Sequence, residues 1–459
     1  MPDNDIDAIK RDLHDSFDRM IDNLQAARDA IDTPELFPAP ATERNLAEGY
    51  RYVLGFLLGS IERALSDPLY PRFRRAIQPT NRSTIDNSDA VYLGAEIDGN
   101  YSYTIRGKGL DSRHWRGEAS AAGLRAPQYV IFELASGYAG DSGGLQEMIP
   151  GTRINTSTLD CHDLKVNDDG SFEILIAPEK PEGFTGNFML SRKESHGKEY
   201  VGRHLTCREL FHDWANEDIL DLEILRNGCE YEPKQPIDSA GAVALMDKVG
   251  ELTKNQVHFW NAFYTVTLET YGKVTGMPSI GHPDRQFMPI NDMNPPNALG
   301  LATGGGQSTN IYSGGVYQLD QDEALVLECE LSQMPSFMGF HLSNLWGESL
   351  DFESYQSNLN MHMMDQDADG TYRWVVAHRD PGMPNWVDTT GLDHGYLTIR
   401  WSYSTPPPKE DWPTLKVRKV TFDSIGDVLQ DGIRQVKTGE RAKNILMRQR
   451  HVQRRYRQY

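Results

Sequence analysis

The sequence predicts a mainly β protein with flanking helices, built as two related β-sandwich (jelly-roll-like) units joined by a long helix. Three observations lead there. Short alternating segments (SYTIR, YVIFEL, SFEILI, LDLEIL) fill the stretch from about Asp89 to Leu225, and similar segments resume after Asn297. Forty glycines and twenty-five prolines supply the turns that many short strands require. The two strand regions also resemble each other at a spacing of about 200 residues, the mark of one unit used twice. Asp169-Gly170-Ser171-Phe172 matches Asp369-Gly370-Thr371-Tyr372, and Asn187 matches Asn385. With small gaps, His196-Gly197 matches His394-Gly395 and Arg203 matches Arg400; upstream, STLDCHDLKV parallels SNLNMHMMDQ.

The elements follow in order. Residues 1–88 read as an N-terminal helical region. Ile6, Ile9, Leu13, Phe17, Met20, Leu24 and Ile31 recur at helical spacing, and after the break TPELFPAPAT so do Leu46, Tyr50, Leu54, Leu57, Ile61 and Leu65. Residues 89–235 are the first sandwich. Residues 236–296 hold a connecting helix, with Leu245, Val249, Leu252, Trp260, Phe263 and Leu268 on one face, and then a Pro/Asn-rich loop. Residues 297–422 are the second sandwich, and residues 423–459 a basic C-terminal helical tail.

A chain of 459 residues can bury a substantial core in two or three domains. Its net charge of −20 repels nucleic acid and anionic lipid, so neither is expected as a partner. The most apolar run, Tyr52 to Ile61, is about half of the roughly 20 residues that a bilayer needs. The opening segment MPDNDIDAIKRDLHD lacks the apolar core of a secretory signal. Cys161, Cys207, Cys229 and Cys329 are scattered, which reads as reduced thiols in a cytoplasmic protein. From Ile433 to Tyr459, nine Lys/Arg stand against one Glu. That tail is expected to dock on the acidic surface of its own chain or of a neighbouring subunit, and a homo-oligomer is expected.

At Asn385 to Trp401 the sequence reads NWVDTTGLDHGYLTIRW. This resembles the family known as domain of unknown function 1214, whose signature is similar to N-W-L-D-T-x-G-H-x-x-G-x-x-x-x-R-W. Asn385, Trp386, Asp388, Thr389, Gly391, Gly395, Arg400 and Trp401 fit it, whereas Leu392 stands where family members often carry His. LAEGYRYVLGFLLGSIERAL and DNSDAVYLGAEID also resemble the N-terminal part of such proteins, so the resemblance runs from about Glu43 to Val420. It implies paired jelly rolls. It implies no reaction, because a fold hosts many functions.

Several motifs invite chemistry. GDSGG (Gly140 to Gly144) is the nucleophile motif of chymotrypsin-like proteases, but only His14 and His114 lie upstream and neither has the required context. Asp365, Asp367 and Asp369 open like a calcium loop, leaving room for a bound cation, yet Val376 stands where the bidentate acid belongs. A polar hairpin turn accounts for them equally. His341, His362, His378 and His394 form no HxH or HxxxH pair, so no metal set is assigned. Gly304-Gly305-Gly306 lacks the Lys-Ser/Thr of a phosphate loop.

The strongest candidate is the repeated loop in its second copy. His378, Asp380 and Asp388 are the candidate catalytic groups; Arg379, Asn385, Trp386, His394, Arg400 and Trp401 are the candidate ligand-binding groups. Aromatic faces, planar polar groups and carboxylates are the mixture that sugar sites use. A plain structural account competes: Asn and Asp fix turns, Trp packs a core, and Arg400 pairs with Asp388. The expected function is therefore a hydrolase-like or ligand-binding protein acting on a carbohydrate or other polyhydroxylated small molecule. The alternative is a non-catalytic oligomeric binding or scaffold protein. No cofactor is expected.

Overall fold

The computed structural model describes residues 6–31, 42–269, 288–298, 307, 309–429 and 433–457. The triple glycine at 304–306, nearly all of the TPELFPAPAT break and much of the Pro/Asn-rich loop lie outside them.

The first unit contains β1 (Arg74–Ile77), β2 (Ala90–Glu96), β3 (Tyr103–Lys108), β4 (Tyr129–Ala135), β5 (Asn155–Asp160), β6 (Ser171–Ala177), β7 (Asn187–Leu190), β8 (Arg192–Ser195), β9 (Lys198–Val201), β10 (His204–Leu210) and β11 (Asp221–Arg226). One sheet runs β1-β2-β10-β4-β5, the other β11-β3-β6-β7, and β8 and β9 form a separate hairpin. The second unit contains β12 (Asn310–Gln318), β13 (Glu323–Glu330), β14 (Phe337–Ser343), β15 (Asn358–Asn360), β16 (Tyr372–Ala377), β17 (Trp386–Asp388), β18 (His394–Ser402) and β19 (Thr414–Thr421). Its sheets run β12-β18-β14-β15 and β17-β16-β13-β19.

These orders superpose. β2-β10-β4-β5 corresponds to β12-β18-β14-β15, and β11-β3-β6-β7 to β19-β13-β16-β17. Each unit even keeps one parallel pair, β6 with β7 and β16 with β17. That pair departs from an all-antiparallel jelly roll. The inner faces of each unit close on one core. In the first, Phe132, Leu134 and Cys207 meet Ile105, Phe172 and Ile174; in the second, Phe340, Ile399 and Trp401 meet Leu327, Trp374 and Val376. Residues of period two point alternately into such a core and away from it. β1 lies at 74–77, inside the stretch that the sequence assigned to helices alone.

Among the described residues four longer helices accompany the sheets: α1 (Ile6–Asp29), α2 (Glu43–Ala64), α3 (Ser239–Glu269) and α4 (Glu440–Arg455). The α3 stripe is buried as expected at Val249, Leu252 and Trp260, and α3 packs with Trp346 and Tyr396 of the second unit. The α2 stripe is not. Tyr50, Leu54, Ile61 and Leu65 are exposed, while Gly49, Tyr52 and Gly55 face inward. The reason is steric. A Cβ on Gly49 would meet the Trp346 ring at 2.7 Å, so the small-residue side permits the close approach. Of the first helical stripe, Ile6 and Phe17 are exposed, while Ile31 is buried as expected.

The basic tail docks on its own chain. Arg448 donates to the Asn358 Oδ1 and carbonyl at 2.6 and 2.7 Å. Arg455 donates to the Ser88 carbonyl at 2.7 Å and lies over Trp214 at 4.5 Å. α4 thereby stitches the two units along one seam, where the buried Asp89 also accepts from Asn360 at 2.8 Å and Trp214 at 2.9 Å. Among the described residues no helix is long and apolar enough to cross a membrane.

Candidate functional site

The second-copy loop is built, but its groups are largely occupied. Asn385 accepts from the Asp365 N–H at 2.8 Å and donates to the Asp365 and Arg373 carbonyls at 2.7 and 2.8 Å. Asn187 makes the same three bonds, to Lys165 and Glu173, in the first unit. The amide therefore ties the loop to the neighbouring strand in both copies. His378 is held between the Thr389 hydroxyl at 2.7 Å and the Leu319 carbonyl at 3.1 Å. Asp380 takes both ends of the Arg441 guanidinium, at 3.0 and 3.1 Å. The Trp386 indole donates to the Ala377 carbonyl at 3.0 Å, and Arg441 sits over its ring at 5.2 Å. Arg379 lies over Phe422 at 4.1 Å. Asp388 is half-buried and accepts from the Thr390 N–H at 2.8 Å; burial pushes its pKa up, and Asp380 adds to that.

Three residues assigned to that loop belong elsewhere. Trp401 is in the second core, and Arg400 points from the opposite sheet, so it does not pair with Asp388. His394 opens β18 beside Gln318. The cation reading of Asp365, Asp367 and Asp369 is also corrected. Arg373 holds Asp367 at 2.6 Å and Asp369 at 2.9 Å, and Arg434 holds Asp365 at 2.9 Å. Among the described residues no cluster of His, Cys, Asp and Glu could hold a metal ion. In GDSGG, Asp141 pairs with Arg63 at 2.7 Å and the Ser142 hydroxyl donates to Glu147 at 2.5 Å, so no triad forms there.

Among the buried polar atoms without partners, those of Thr398 and Arg400 line a cavity of about 190 Å³ between the two sandwiches and α3. Tyr92, Arg208, Tyr312 and Arg400 line its sheet side. Register explains the arrangement. Arg208 on β10 is directly opposite Tyr92 on β2, and Arg400 on β18 is directly opposite Tyr312 on β12. Each guanidinium lies near its tyrosine ring, at 5.9 and 5.8 Å. Each phenol accepts from the backbone N–H five residues earlier, Asn87 at 2.7 Å and Gln307 at 2.9 Å. Two equivalent strand pairs, β2 with β10 and β12 with β18, thus meet at the cavity. Trp260, Phe263, Met148 and Met288 supply an apolar wall.

The electrostatics of the two strand pairs differ. Burial, then the nearby Arg400, pushes the Arg208 pKa down, and Glu133 forms an ion pair with Arg208. The position equivalent to Glu133 is His341: Thr206 is opposite Glu133, and Thr398 is opposite His341. His341 is fully buried, both ring nitrogens lack partners, and burial drives its pKa well below the usual value. It is a neutral imidazole. Arg400 is 5% exposed; one nitrogen donates to the Ile85 carbonyl at 2.9 Å, while Nε and Nη1 have no partner. The Thr398 hydroxyl is also unpartnered. Burial pushes Tyr92 up to about 12, so its phenol stays neutral.

Sequence reasoning singled out Arg400 but missed Arg208, matching Arg203 instead. The signal was present: Leu205-Thr206-Cys207-Arg208 repeats as Leu397-Thr398-Ile399-Arg400, and Val91-Tyr92 repeats as Ile311-Tyr312. The β8–β9 hairpin, which has no counterpart in the second unit, displaced the alignment, and it carries His196-Gly197.

No protein-family model matches the chain, and no curated protein matches it either. Among solved structures, it is similar to an uncharacterized protein from Burkholderia cenocepacia. The identity is 23% and the TM-score 0.70, over 89% of this chain and 98% of that one. A protein from Vibrio parahaemolyticus matches at 13% identity and a TM-score of 0.41, over 86% and 100% of the two chains. The Burkholderia likeness shows the fold and nothing of the chemistry.

Proposed function

We propose that this chain binds a small organic molecule in the cavity between its two sandwiches. One observation carries the reading. A cavity larger than the roughly 150 Å³ that holds benzene joins an apolar wall to buried, unpartnered polar atoms of Arg400 and Thr398. Each such atom left unpaired costs about 1–3 kcal/mol, which a bound molecule with a matching polar end recovers. Trp260 lines the cavity, so ligand entry is expected to change its fluorescence saturably. In Trp260→Phe the optical response disappears while calorimetric binding persists; Ala139→Phe, which fills the cavity, removes both. Binding undiminished in Ala139→Phe contradicts the reading.

A second reading keeps a hydrolase-type or carbohydrate site at the Asn385–Trp401 loop. Its support is Asp388, a half-buried carboxylate with a raised pKa close enough to feel Asp380. Membership of the domain of unknown function 1214 family rests on the motif in that loop. A homo-oligomer is supported by the exposed apolar side of α2, and a cytoplasmic location by four free cysteines.

A further inference from the structure

Within the cavity just described, the two strand pairs carry matched tyrosines and arginines but unmatched counter-charges. Glu133 neutralises Arg208; the equivalent His341 is uncharged and neutralises nothing. Asp86 is a buried acid that feels Arg400, and its two oxygens accept from the Ser349 N–H at 2.9 Å and hydroxyl at 2.7 Å. Among the described residues no carboxylate lies within ion-pair distance of Arg400, and none of the Asp or Glu residues lines the cavity. A guanidinium so deeply buried is costly to leave without an anion, and its planar fork matches a carboxylate's two oxygens.

We propose that the ligand is a monocarboxylic acid with an aromatic or short aliphatic body, its carboxylate seated on Nε and Nη1 of Arg400. The proposal rests on the cavity reading and adds the ligand's charge and shape to it. One guanidinium without a contacting carboxylate calls for one negative charge. A phosphate monoester, carrying nearly two, would need the charge of Arg208 as well, and Glu133 holds that. Thr398, two residues before Arg400 on the same strand face, offers its free hydroxyl to the same headgroup. Trp260, Phe263 and Met288 then enclose the apolar body, which gains from leaving water.

The test is calorimetric titration of the full chain at pH 7 with benzoate, octanoate, benzyl alcohol, benzamide and phenyl phosphate. The acids are expected to bind at least about 30-fold more tightly than the neutral isosteres, as for a charge-assisted pair. In Arg400→Gln that preference collapses to within about 3-fold while weak binding of benzyl alcohol persists, and Arg400→Lys restores part of it. Melting curves establish that each variant is folded. Equal binding of acids and neutral isosteres overturns the carboxylate and leaves the cavity reading standing. Tighter binding of phenyl phosphate than of benzoate overturns the single-charge argument. Absence of binding by every probe overturns both readings.

Discussion

The two sandwiches share strand order, a parallel pair and the three-bond asparagine, yet position for position they treat charge differently. On β4, Glu133 answers Arg208; on β14, His341 leaves Arg400 unanswered. On β10, the residue after the arginine is Glu209, fully buried; on β18 it is Trp401, part of the core. A repeated fold therefore conserves what the backbone needs and diverges where two copies face each other. The retained asparagines mark architecture. The diverged pair marks the place where a ligand's charge is missing.

The sharpest way to break that comparison is to strip the first copy of its counter-charge. Glu133→Ala leaves Arg208 buried and unpaired, and is expected to cost about 3–5 kcal/mol in urea unfolding. A loss under about 1 kcal/mol would mean that Arg208 is satisfied otherwise, and the contrast with Arg400 would dissolve. Next come the asparagines. Asn187→Ala and Asn385→Ala each remove three bonds from a nearly buried amide, and each is expected to cost about 2–3 kcal/mol. A near-zero cost for Asn385 alone would show that the second loop has been released from its structural duty.

pH separates the copies further. Burial raises the Glu209 pKa to about 8, well above its value in an unfolded chain. Its contribution to stability is therefore fully present below about pH 4.3 and is lost as pH rises through about 8. Glu209→Gln should flatten this decline between pH 5 and 8, read as melting temperature against pH. An unchanged slope would place the titrating group elsewhere. The smallest effect belongs to the loop: Asp380→Ala breaks a partly exposed pair with Arg441 and should cost about 1 kcal/mol or less.

Much of the fold was legible. Strand segments, α3 and the Asn187/Asn385 equivalence follow from local pattern, whereas the basic tail's sequence left its own chain and a neighbouring subunit equally open. The apolar stripe of α2 misled, because Gly49 and Gly55 let α2 approach its neighbours on its small-residue side. The candidate loop misled for a related reason. Its acids and aromatics attract attention in a row, but Arg434 and Arg441, distant in sequence, occupy Asp365 and Asp380. The cavity was illegible because Tyr92, Arg208, Trp260 and Arg400 come together only through sheet register and the packing of one unit on the other. The Leu-Thr-x-Arg repeat and the Val91-Tyr92/Ile311-Tyr312 match pointed there, and a one-sided hairpin hid them.

The most direct measurement is a crystal structure of the full chain soaked with benzoate. The account predicts a planar ligand against Trp260 and Phe263, with its carboxylate within about 3 Å of the Arg400 guanidinium. A cavity filled only by ordered water, with benzoate absent or bound elsewhere, would contradict it.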